Sequence, residues 1–145
     1  NLFMDWATKS KVVAGLQMAK RHKYYKKEDT LWVSVDESER GAKINRVAAI
    51  KNYFYFDMNP RTGAIRSFEI KHFNDLINQN KKNPNIYSEQ ETASIRFHLV
   101  DDGYEQTGAD CVFFDNTQNA MITIDRNEVG NIQGVEIINT NYFLI

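Results

Sequence analysis

The side chains able to do chemistry in these 145 residues are few and scattered. His22, His72 and His98 lie on separate segments, with none at the spacing of a metal-ligand pair. Cys111 is the single cysteine, so no disulfide can close within the chain. It adjoins Val112-Phe113-Phe114 and reads as a buried, inert thiol. The sharper alternative is a nucleophile–base pair with His98 across neighbouring strands, the arrangement of a small enzyme or toxin. The chain holds no glycine-rich phosphate loop and no nucleophile elbow. Asp101, Asp102, Glu105 and Asp110 could offer oxygen ligands to calcium, but their spacing fits no EF-hand loop, and Asp101-Asp102 reads as solvated loop. These spacings assign no catalytic residue, metal or cofactor.

A second constellation is basic and aromatic. Lys20-Arg21-His22-Lys23-Tyr24-Tyr25-Lys26-Lys27 offers cations to phosphates and rings to bases. Lys20, Arg21, Lys23, Lys26 and Lys27 are the candidate contacts of a DNA-binding module. The simpler reading is a solvated helix end whose cations oppose the helix dipole.

Composition bounds these choices. Hydrophobic residues make up 42% and charged residues 26%, which fits a globular chain and not a disordered one. A net charge of −1 points to no polyanionic partner, and no apolar run is long enough to span a bilayer. The charge is uneven, however. Residues 1–28 carry seven cations against two carboxylates, and residues 100–145 carry eight carboxylates against Arg126. Unlike ends of that kind can join neighbouring copies. Fifteen asparagines and only two prolines suit many tight turns.

The length predicts a single domain over 1–145. Residues 1–28 predict one helix, about 40 Å long at 1.5 Å per residue. They lack proline, and Val12, Leu16, Ala19 and Lys23 line one stripe. Leu2, Phe3, Trp6 and Val13 make a second apolar surface near the start. From Leu31 the period changes to two. Strands are predicted at 31–35, 44–57, 64–70, 93–100, 110–114, 120–125, 133–138 and 142–145, with a turn at Asn59–Gly63 and a short helix at 72–80. Residues 81–91 read as polar loop. No internal repeat is evident. The fold class expected is α+β: a long N-terminal helix packed on one antiparallel sheet of four to seven strands, the head covering 29–145. Val12, Leu16 and Ala19 are expected to bury against Val33, Val47, Phe54, Ile65 and Phe68.

Residues 2–19, Leu2-Phe3-Met4-Asp5-Trp6-Ala7-Thr8-Lys9-Ser10-Lys11-Val12-Val13-Ala14-Gly15-Leu16-Gln17-Met18-Ala19, resemble the stretch of type IV pilins that follows their membrane-embedded half-helix. Trp6, Lys9, Ser10, Lys11, Val12, Gly15, Leu16 and Ala19 fall on that pattern. Ala14 stands where many pilins have Glu, and Cys111 lacks the partner with which many major pilins close a C-terminal loop. The resemblance implies an N-terminally truncated pilin or pseudopilin: a non-catalytic structural subunit of a type IV pilus or type II secretion filament. Its partners would be other subunits in a helical filament and, through an absent upstream apolar helix, the inner membrane, with no small-molecule substrate. Its place would be the cell envelope, first the inner membrane and then a periplasmic or extracellular filament serving adhesion, motility, DNA uptake or secretion. Leu2, Phe3, Trp6 and Val13 would form the subunit interface.

Overall fold

The period-two segments do form strands, but they build two sheets and not one. The computed structural model describes residues 21–36, 43–78, 87–91, 93–99, 106–127 and 129–145. Its strands are β1 (Arg21–Tyr25), β2 (Thr30–Ser34), β3 (Asn45–Ile50), β4 (Phe54–Met58), β5 (Ile65–Lys71), β6 (Tyr87–Glu91), β7 (Ser94–His98), β8 (Gln106–Asp115), β9 (Ala120–Asn127) and β10 (Ile132–Ile138). A short helix, α1 (Phe73–Ile77), follows β5, and a 3-10 turn (Thr140–Leu144) closes the chain.

The two antiparallel sheets have the same strand order. The first runs β1-β2-β5-β4-β3 and the second β6-β7-β10-β9-β8. The likeness extends to single residues. Left-handed backbone occurs at Asp29 and Ala93 before the second strand of each sheet, and at Asn52 and Asn119 before the fourth. It recurs at Gly63 and Gly130 before the fifth strand, and at His72 and Asn139 after it. The Val35 N–H donates to the Arg66 carbonyl as Leu99 does to Gln133; Phe73 donates to Asp29 as Thr140 does to Ala93. The architecture is thus a five-stranded unit used twice. The repeat is not legible in the sequence because the shared features are backbone turns and hydrogen bonds, which different side chains satisfy.

Alternation sets the core. Leu31, Val33, Phe54, Phe56, Phe68 and Ile70 turn to the inner face of the first sheet, and Ile95, Phe97, Ile122, Ile124, Val135 and Ile137 to that of the second. They join in one hydrophobic cluster. The Phe54 and Phe97 rings meet edge-on at 5.4 Å across it, which makes the fold a β-sandwich.

This corrects the expected α+β fold. Where the helix predicted over 1–28 falls on described residues it is absent: Arg21–Tyr25 form β1 and a turn follows. His22 and Tyr24 face inward while Arg21, Lys23 and Tyr25 face solvent, a period of two that pairing with β2 enforces. Residues 1–20 lie outside the described residues, and with them Leu2, Phe3, Trp6, Val12, Val13, Leu16 and Ala19. Val33, Phe54, Ile65 and Phe68 are core, and in the sandwich a second sheet stands opposite them. Val47 is 39% exposed on an edge strand, contrary to expectation. The single strand expected at 44–57 is broken between β3 and β4 by a turn with Asn52 at φ 75°. The segment read as loop over 81–91 ends in β6, and the strand expected at 142–145 belongs to the 3-10 turn.

Candidate functional site

The outer face of the first sheet concentrates the rings and charges. Register places Lys23, Trp32, Glu69 and Tyr55 in one row across β1, β2, β5 and β4. A second row holds Arg21, Ser34, Ser67, Asp57 and Arg46, and a third Tyr25, Thr30 and Lys71. These side chains face outward because their neighbours Leu31, Val33, Phe54, Phe56, Phe68 and Ile70 fill the core.

Cations sit over the rings. The Arg21 guanidinium lies 5.3 Å from the Trp32 ring centre and the Lys23 ammonium 4.9 Å from that of Tyr25. Tyr55 carries Arg46 at 4.8 Å and Lys71 at 5.3 Å. Arg46 also pairs with Asp57 at 3.3 Å and Glu69 at 3.0 Å. Such contacts are each worth about 0.5–1 kcal/mol at exposed sites and hold the rings in place. Beside this network, Tyr25, Glu28, Thr30, Trp32, Glu69 and Lys71 line an open groove of about 390 Å³.

The basic segment Lys20–Lys27 is therefore not a helix end. Arg21 and Lys23 project from β1 onto this face, Lys26 and Lys27 are exposed in the turn that follows, and Lys20 lies outside the described residues. Trp32, Tyr55, Glu28, Glu69 and Lys71 were not singled out in the sequence. A signal for Trp32 was present: between Leu31 and Val33, it must face away from the core if those two are buried.

Comparisons with family models, curated proteins and solved structures give no significant match.

The remaining candidates separate. Cys111 on β8 and His98 on β7 do not meet, because β9 and β10 stand between their strands. Cys111 is fully buried, donates to the Phe113 carbonyl at 3.5 Å, and burial pushes its thiol up to about 12. A thiol held protonated is a poor nucleophile. Asp101, Asp102 and Glu105 lie outside the described residues, and Asp110 is ion-paired with Arg126 at 2.7 Å. Among the described residues no group of three His, Cys, Asp or Glu side chains could hold a metal ion. No helix among them is long and apolar enough to cross a membrane.

Proposed function

We propose that this chain is a non-catalytic binding module that takes a neutral oligosaccharide on the outer face of the first sheet. The observation that carries this reading is the lining of the groove. Tyr25 and Trp32, each carrying a cation against one ring face, line the groove with aromatic surface, and Thr30, Glu28, Glu69 and Lys71 offer hydrogen-bonding groups of both signs. A sugar ring matches such a lining with C–H patches on one side and hydroxyls on its rim. Glu28 and Glu69 oppose a phosphate here, and Lys71 opposes a cation.

A panel of neutral oligosaccharides titrated into the protein by calorimetry tests this. Saturable binding that weakens at least tenfold in Trp32→Ala is the expected result. If no neutral glycan binds, the reading fails.

The line Arg21, Lys23, Lys26 and Lys27 favours a second reading, a single-stranded nucleic acid tracked along β1. Affinity for an oligonucleotide that falls steeply between 50 and 200 mM salt, roughly as phosphate contact requires, would select it. A subunit role in a pilin-type filament rests on residues 2–19 alone, since the head that the resemblance implies is not the sandwich found. Its test is the full gene: a short basic leader and an apolar half-helix upstream of Asn1.

A further inference from the structure

We infer that the free edge of β3 accepts an extended, acidic segment of a partner protein as an added strand. Strand β3 lies at the margin of the first sheet and, among the described residues, pairs with β4 alone. Its outer backbone edge therefore offers N–H and C=O groups to another chain. The described edges differ in how they are guarded. On β8, Asp110, Cys111, Val112 and Phe113 are buried. On β1, Arg21 and Lys23 alternate along the strand. By contrast, Asn45 to Ala48 of β3 are all exposed, and Ile44 and Val47 are among the few large hydrophobic residues open to solvent, at 52% and 39%.

The usual protections are weak on this strand. Its one charge, Arg46, is drawn over the sheet face onto Asp57 and Glu69 and does not stand guard at the edge. The bulge falls between Ala48 and Ile50 and disturbs only the last part of the strand. Proline is absent from it.

The charges at its ends choose the occupant. Lys43 and Lys51 bracket the strand, and both are exposed. An incoming strand with carboxylates near both ends and β-branched residues between them complements this pattern through main-chain bonds, apolar contact with Ile44 and Val47, and charge. A second copy fits worse. Antiparallel self-pairing centred on Val47 sets Lys43 against Lys51 of the other molecule, and like charges facing each other across a ladder are unfavourable.

The probe is a capped heptapeptide, Glu-Val-Thr-Val-Thr-Val-Glu, titrated into the isotopically labelled protein and followed by amide NMR. Saturable shifts centred on Asn45–Ile50 are expected. Affinity should fall at least tenfold in the Lys43→Glu/Lys51→Glu variant and in Val47→Lys, and stay unchanged in Trp32→Ala. Amides of β3 that do not respond at millimolar peptide overturn the proposal. So does equal binding of the peptide with Lys in place of both Glu residues. Sedimentation that shows concentration-dependent dimers, lost in Val47→Lys, would overturn it in favour of a second copy.

Discussion

Asp57 and Asp125 stand at the same place in their two sheets, each answered by an arginine from the opposite side. Asp57 is met by Arg46 on β3, at 3.3 Å, and accepts a hydrogen bond from Ser67 at 3.0 Å. Asp125 is met at 2.7 Å by Arg96, which reaches it diagonally across β10 from β7 and also holds Glu136 at 3.1 Å. Arg46 likewise holds Glu69, the counterpart of Glu136. One carboxylate pair is thus used twice, with the cation supplied by different strands.

Gly134, where the first sheet has Ser67, makes the second version possible. A Cβ at Gly134 would lie 2.8 Å from the Phe97 carbonyl and 3.3 Å from the Asp125 carboxylate. Gly134→Ala should therefore destabilise the protein by about 1–3 kcal/mol, as overpacking does. Ser67→Gly, at the equivalent place, removes one hydrogen bond and should cost less. Urea denaturation of both variants measures the difference.

His22 makes the fold sensitive to mild acid. Its ring packs 5.0–5.2 Å from those of Phe113, Tyr142 and Phe143, and burial lowers its pKa from 6.5. The folded state thus prefers the neutral ring. That preference contributes fully above the unfolded pKa and is lost as pH falls from there through the folded value. Melting temperature should decline over this interval, and His22→Phe should flatten the decline. A parallel decline in the variant would assign it elsewhere.

Asp29 caps a helix that begins more than forty residues later. Its carboxylate accepts the N–H groups of Asn74 at 2.7 Å and Asp75 at 3.3 Å, and the Tyr24 hydroxyl at 2.6 Å. His72, at the helix start, provides no side-chain cap. Asp29→Ala should cost about 1–2 kcal/mol, the range for a lost cap, and Asp29→Asn markedly less. Burial and this bond also push the Tyr24 phenol up to about 12. Spectrophotometric titration of Asp29→Ala should bring one tyrosine back toward its ordinary range of about 10.

Cys111 should not react. A thiol reagent added to the folded protein at pH 8 should label it only on the timescale of unfolding, because the group is fully buried and held protonated. Rapid labelling without denaturant would contradict the burial.

The local signals in the sequence were sound where one strand and its turn decide the structure. Leu31 to Val35, Ile65 to Ile70, Ser94 to His98 and Val135 to Ile138 show their alternation openly, whereas β9 is buried on both faces. Asn59–Gly63 carries its turn in residue types: the Asn59 side chain accepts the N–H groups of Arg61 and Thr62, and Gly63 takes φ 73°. The hairpin of β4 and β5 followed from that turn. Residues 21–25 were a different matter, because Arg21 to Tyr25 suit a helix end or an edge strand by propensity, and only pairing with β2 chooses. The candidate groove is likewise a product of distance in sequence. It needs β2 beside β5, which brings Trp32 opposite Glu69. The sequence by itself determined which residues turn inward along strands such as β2, β5 and β7, since burial of apolar side chains acts at a period of two. Tertiary structure alone decided the partners of β2 and β7, the repetition of one sheet plan and the face on which Trp32, Glu69 and Lys71 converge. Main-chain ladders pair any strands whose apolar faces match, so the choice among them lies in the packing of the whole sandwich.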